Sequence, residues 1–207
     1  VIYPIIFVNN LSCVREERQL FEDLSFTLAT TELVQVEGPN GVGKSTLLAI
    51  VAGIGARASG EIHYQGQPID RVKKHYHEDL LFIGHQSGIN TVLTPLENLA
   101  FYTKMQPCHD IDHWDVLEKV GLLGFEDVPV DQLSAGQQRR VALTRLWLSK
   151  ARLWILDEPF TAIDKAGVTL LENKLQQHCQ QGGAALITTH QDLNIPVTRR
   201  LVLEPVL

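Results

Sequence analysis

The chain has 207 residues, 44% of them hydrophobic, and a formal net charge of −6, which suits one domain, or one domain with a small lobe, around a sizeable core. No apolar run approaches the ~18 residues needed to cross a bilayer. No long basic run exists, and Arg71–Lys74 and Arg139–Arg140 are short, so neither nucleic acid nor an anionic lipid surface is favoured as an electrostatic partner.

Val1–Val8 is apolar but short and lacks a basic front, so it reads as a strand rather than a secretory signal. Arg15–Arg18 reads as a charged turn and Leu20–Leu28 as a second strand. A buried strand over Leu33–Glu37 leads into a glycine-rich stretch, and Thr46–Val51 reads as a helix. Glu61–Gln65 is expected as a strand closed by a turn at Gly66, and Leu80–Gly84 as a short buried strand. From Ser87 to Gln132 the pattern turns helical. Pro95 suits the first turn of a helix running to about Met105 with Thr94 as its cap, and Asp112–Gly121 carries Trp114, Leu117 and Val120 at helical spacing. A helix of about four turns follows Ser134, then a strand at Leu153–Leu156. Lys165–Gln181 is amphipathic, with Val168, Leu171 and Leu175 on one face and Gly182-Gly183 as its stop. Ala184–Thr188 reads as another buried strand and Arg199–Leu203 as a last one. Strands alternating with helices imply a mainly parallel α/β sheet. Cys13, Cys108 and Cys179 are solitary and lack C-x-x-C spacing, which argues against a disulfide framework or zinc site and for a reducing compartment. Cys108-His109 invites a metal, but a loop cysteine beside a solvated histidine explains it more simply.

Gly38-Pro39-Asn40-Gly41-Val42-Gly43-Lys44-Ser45 matches G-x-x-x-x-G-K-[ST] between a strand and a helix. Its glycines let successive N–H groups curl around one anion, and the helix beginning near Thr46 adds its positive end. Lys44 would reach the β- and γ-phosphates of a nucleoside triphosphate, and Ser45 would hold Mg²⁺. The rival is a plain glycine turn between strand and helix. Trp154-Ile155-Leu156-Asp157-Glu158 puts two carboxylates at the end of an apolar strand, the edge that faces the nucleotide in such sheets. Asp157 then suits the Mg²⁺ shell and Glu158 a general base for the attacking water. An acidic strand-to-loop turn before Pro159 is the alternative.

Leu133-Ser134-Ala135-Gly136-Gln137-Gln138-Arg139-Arg140 resembles the L-S-G-G-Q signature of the ATP-binding cassette family, with Ala135 replacing the first glycine. The resemblance implies an α/β P-loop NTPase core, 1–86 and 134–207, with an antiparallel β lobe near the N-terminus and an inserted helical lobe over 87–133. It implies an ATP sandwich in which a second copy supplies Leu133, Ser134, Ala135, Gly136 and Gln137 to the nucleotide held by the first. It further implies that Gln86 touches Mg²⁺ and the water, that His190 contacts the γ-phosphate, and that Asp164 communicates across the dimer. Arg15 stands where the family usually has an aromatic under adenine, and could lie over the base instead. Thr30-Thr31 stands where a glycine turn is common.

Gly84-His85-Gln86-Ser87-Gly88-Ile89, Leu93–Leu99 and Gln132–Arg140 resemble the haem-exporter ATPases of bacterial cytochrome c maturation. That resemblance implies ATP and Mg²⁺ as cofactors, haem export or haem-chaperone release as the task, and the cytoplasmic face of the bacterial inner membrane as the location. It implies peripheral attachment to integral membrane subunits, with no nucleic acid partner and no direct lipid insertion. A partner helix would dock near Ile89, Val92, Leu93 and Phe101, whose competing destination is the lobe's own core. Other cargo, a soluble phosphoryl-transfer kinase, or a regulatory cassette that signals by dimerising are the rival functions.

Overall fold

A computed structural model describes residues 4–86, 88–106, 108 and 110–206. The first three residues of the expected opening strand, Ser87 at the lobe's start and His109 lie outside these. Two sheets organise the fold. Strands β1 (Ile6–Arg15), β2 (Arg18–Leu28), β4 (Ser59–Tyr64) and β5 (Gln67–Pro68) make an antiparallel sheet in the order β2-β1-β4-β5. Strands β3 (Leu33–Glu37), β6 (Leu80–Ile83), β7 (Leu153–Asp157), β8 (Ala184–Thr188) and β9 (Arg199–Val202) make a parallel sheet in the order β6-β7-β8-β3-β9.

The opening strand differs from expectation. It runs on through residue 15, because Leu11, Ser12 and Cys13 are all buried. Three register shifts against β2 let consecutive side chains turn inward, which breaks the alternation that marks a strand. The charged turn shrinks to Glu16 and Glu17, with φ of 50° and 64°, a two-residue hairpin turn in a conformation that usually selects Asn or Gly. Gln65 and Gly66 repeat that geometry between β4 and β5, with φ of 50° and 80°.

In the parallel sheet the side-chain period of two separates the two faces. Leu153 and Ile155 of β7, with Ala184 and Leu186 of β8, join a core shared with the antiparallel sheet and α1 (Lys44–Val51). Trp154, Leu156, Ala185 and Ile187 face helices α5 (Ala135–Leu143), α6 (Arg145–Leu148) and α7 (Lys165–Gln180). The helix expected as one rod after Ser134 is interrupted at Thr144, a fully buried residue whose hydroxyl donates back to the Val141 carbonyl at 2.6 Å. Beside β7, the His178 ring stacks on Trp154 at 3.6 Å and 5°, and its Nε2 lies 3.1 Å from the Arg152 carbonyl oxygen. Burial pushes the His178 pKa down to about 4.

A short helix, α2 (Lys73–Glu78), was not expected from its charged sequence; Tyr76 alone anchors it in the core. Between residues 88 and 133 the helices α3 (Pro95–Met105) and α4 (His113–Lys119) gather a separate apolar cluster with Leu99, Val116, Leu117 and Val130, which continues to Val141 and Leu148. Thr94 caps α3 in a full capping box with Glu97. Trp114 is not on the buried face of α4: it is 46% exposed, and Val116 takes the inward place with Leu117 and Val120. Val92, Phe101 and Met105 are also exposed, whereas Ile89 packs on the lobe cluster.

The two sheets are fastened by a polar tie. The Tyr64 hydroxyl of β4 donates to the Asp79 carboxylate just before β6, and Arg152, just before β7, donates to the same carboxylate at 2.8 Å and to the Tyr64 oxygen at 3.0 Å.

Candidate functional site

Parallel pairing puts the ends of β3, β7 and β8 on one edge, with Val36, Thr188 and Asp157 in matching register. From that edge the chain builds an open depression of about 500 Å³ lined by Arg15, Arg18, Leu20, Asn40, Gly41, Gly43, Lys44, Ser45, Thr46, Asp157, Glu158 and His190. Gly41 and Gly43 hold φ of 78° and 109°, angles that cost a glycine nothing and bend the loop round the first turn of α1. Val42, between them, points the other way into the core. The buried Lys44 ammonium donates to the carbonyl oxygens of Gly38 at 2.7 Å and Pro39 at 3.1 Å, so its charge is held over the mouth of the loop. The cradle joins backbone N–H groups, a helix N-terminus and a lysine, which is the chemistry of a polyphosphate site.

Across the depression, the Glu158 carboxylate lies 3.4 Å from His190 Nε2. The oxygen in that contact, Glu158 Oε1, is buried and makes no hydrogen bond of good geometry among the described residues, His190 being its nearest charged neighbour. The Glu158 backbone is kinked, with φ at 47°, and is held at its N–H by the Thr188 hydroxyl, 2.9 Å away. The same hydroxyl donates to Asp157 Oδ1 at 2.7 Å. Thr188 thus holds the Asp157 carboxylate directly and the Glu158 backbone beside it, a role invisible in a strand that reads only as buried. Ser45 and Asp157 share the depression, and among the described residues no group of three His, Cys, Asp or Glu side chains converges to hold a metal unaided. One hydroxyl and one carboxylate fit a Mg²⁺ that takes its remaining ligands from phosphate oxygens and water. Gln86 is exposed after β6 and does not line the depression.

The segment Leu133–Gln137 lies elsewhere. Ser134 caps α5: its hydroxyl accepts from the Gln137 N–H at 3.3 Å while the Gln137 side chain accepts from the Ser134 N–H at 2.9 Å. Ser134, Gly136 and Gln137 line a shallow hollow with Arg140, Ala162 and Asp164. Asp164 caps α7 through the Gly167 N–H at 2.9 Å and meets Arg140 at 2.7 Å. The Gly167 N–H first, then Arg140, hold its carboxyl below the usual range. The hollow has the free N–H groups of a helix start and no lysine loop beside it.

A family profile described as "ABC transporter" matches residues 21–161. A curated protein of Vibrio cholerae, "Cytochrome c biogenesis ATP-binding export protein CcmA", is 58% identical over 188 residues, covering 90% of this chain and 91% of its own length. One of the same name from Escherichia coli is 56% identical over 188 residues, covering 89% and 88%. Among solved structures, "Dimeric structure of a post-hydrolysis state of the ATP-binding cassette MJ0796 bound to ADP and Pi" superposes with a TM-score of 0.79 at 23% identity, covering 96% of this chain and 94% of that one. "Structure of ATP binding subunit of ABC transporter" gives 0.78 at 22%, covering 90% and 79%. These likenesses support the α/β P-loop fold.

Proposed function

The chain belongs to the ABC transporter family of ATP-binding subunits, and on that premise we propose that it is the ATP-hydrolysing subunit of a cytochrome c biogenesis export system. The observation that carries the chemistry is the placement of Glu158 and His190 opposite Lys44 and Ser45 in one depression. Gly38–Thr46 bind the triphosphate. Ser45 and Asp157, with Gln86 brought in on closure, would hold Mg²⁺, which neutralises charge on the β- and γ-oxygens when bound. Glu158 accepts the proton of the attacking water, and His190 holds the γ-phosphate end while keeping Glu158 in line. Arg15, Arg18 and Leu20 form the wall nearest the base, with Arg15 as a guanidinium platform in place of an aromatic ring.

The hollow at Ser134 is completed by a second copy. Each copy's Leu133–Gln137 closes over the nucleotide in the other's phosphate loop, and Asp164 reports closure between them. Residues 1–86 and 134–207 act as the core and 87–133 as the lobe, which presents Val92, Phe101 and Met105 outward to an integral membrane subunit. No described helix is long and apolar enough to cross a membrane. The subunit works peripherally, on the cytoplasmic face of the bacterial inner membrane. Cargo movement, haem or a haem-loaded chaperone, follows from ATP-driven closing and opening.

Glu158→Gln tests the reading. Removing a general base costs about 10²- to 10⁴-fold in turnover, roughly 3–5 kcal/mol of barrier, while leaving ATP binding intact. The expected product is an ATP-trapped dimer, seen by light scattering; turnover near the unmodified rate would refute the assignment.

A further inference from the structure

The chain of contacts leading away from Glu158 ends on the helix that the proposed function gives to the other nucleotide. Arg139, on α5, is buried at 8% exposure with its Nε unpartnered among the described residues, an unusual place for a guanidinium. One of its terminal nitrogens donates to the Asp157 carbonyl at 3.1 Å and to the Glu158 carbonyl at 2.8 Å. Both acceptors lie where β7 gives way to the kink that aims the Glu158 carboxylate. Glu158 is thereby gripped at both backbone ends, by Thr188 at its N–H and by Arg139 at its C=O. The second grip comes from a helix whose first turn carries Ser134 and Gly136.

Two further contacts make α5 and the catalytic turn move together. A Cβ on Gly136 would meet the Ala162 carbonyl oxygen at 2.7 Å, so the helix start and the turn after Pro159 are already at closest approach. Arg140, the next residue along, meets Asp164 at 2.7 Å and the Val120 carbonyl at 3.1 Å. Any shift of α5 toward a phosphate held by another copy must pull on the Asp157–Glu158 backbone through Arg139.

We infer that Arg139 is a positioning residue that makes the aim of Glu158 depend on whether the same chain's Ser134 helix has engaged the other copy's nucleotide. The inference rests on the head-to-tail sandwich of the proposed function and adds a direction to it: one site's base is set by the occupancy of the other site. The coupling adds to the cooperativity in ATP concentration that the shared sandwich already brings.

Arg139→Gln and Arg139→Lys, with Glu158→Gln alongside, are assayed in the full chain purified with its membrane subunits. Arg139→Gln should lower kcat by about ten- to a hundred-fold, the cost of a misaimed catalytic group. KM for ATP should stay within about two-fold, and the Hill coefficient should fall while staying above one, because the sandwich itself remains. Arg139→Lys keeps the buried charge but has a shorter reach to the two carbonyls, so its kcat should fall less, again at unchanged KM. If Arg139→Gln does not fold, Arg139→Lys decides by the same split. A folded variant with unmodified kcat and cooperativity overturns the inference, and so does a loss of kcat matched by an equal rise in KM. If Glu158→Gln is inactive while the Arg139 variants turn over normally, only this inference falls. Normal turnover in Glu158→Gln removes the base assignment, and the inference with it.

Discussion

Thr188→Val exchanges a hydroxyl for a methyl at a fully buried position, so no cavity opens and no volume is added. Two hydrogen bonds disappear. The hydroxyl's donation to the Asp157 carboxylate at 2.7 Å is charge-assisted, worth about 1.5–3 kcal/mol. The Glu158 N–H, which the hydroxyl accepts at 2.9 Å, is left unpartnered in the interior at a cost of about 1–3 kcal/mol. The two losses share one atom and are not additive, so roughly 3–4 kcal/mol is expected. For a chain of this size a kilocalorie moves Tm by about 2–4 °C, which puts the melting temperature of Thr188→Val roughly 6–15 °C below the parent. Thr188→Ser keeps both bonds and loses one methyl, about 1 kcal/mol and a few degrees. Thermal unfolding followed by circular dichroism separates the two, and ATP turnover in the valine variant should fall alongside, because the Asp157 carboxylate and the Glu158 backbone lose their common anchor. Equal melting temperatures for the valine and serine variants would refute the idea that the hydroxyl organises the strand ends.

Two more outcomes follow from packing and burial. Gly136→Ala places a methyl carbon against the rigid Ala162 carbonyl, 2.7 Å away, so α5 must retreat from the turn. In a Glu158→Gln background the ATP-dependent dimer should weaken at least about ten-fold, near the lower end of an overpacking cost of 1–3 kcal/mol, while single-chain ATP affinity holds; an unchanged dimer in sedimentation would contradict it. His178, with its pKa pushed down to about 4, is neutral in the fold at pH 5 but protonated in the unfolded chain. Stability is therefore lost as pH falls from about 6.5 toward 4, by about 2 kcal/mol allowing for the ring's partial exposure. In urea midpoints at pH 7 and pH 4.5, His178→Phe, which keeps the stack on Trp154, should lack this part of the slope; identical slopes would contradict the buried neutral ring.

The buried strands, the phosphate loop and the capped helices were legible because each carries a local signal. The spacing from Gly38 to Ser45 specifies backbone geometry directly, and Thr94 and Ser134 announce helix starts through side chains that satisfy N–H groups three residues on. What stayed hidden depends on distant partners. The opening strand was cut short because its register shifts bury Leu11, Ser12 and Cys13 in succession. Its turn carried no asparagine or glycine to mark φ above zero. Trp114 looked like core because spacing alone cannot say which side of a two-turn helix meets the lobe. Thr188 and Arg139 gave no cue at all: a threonine in a β-branched strand and one arginine of a pair are ordinary until β7 is placed between them.

The tie joining Tyr64, Asp79 and Arg152 sits at the trailing edge of the parallel sheet, the side away from the phosphate loop. With the apolar core that the two sheets share, it welds them into one chassis, which sets the spacing between the Arg15 wall and the lysine loop. The 88–133 helices gather an apolar cluster that is largely their own and meets the rest of the chain through Val141 and Leu148. Substitutions at the exposed Val92 and Phe101 can therefore reshape that outer surface without disturbing the packing beneath the phosphate loop.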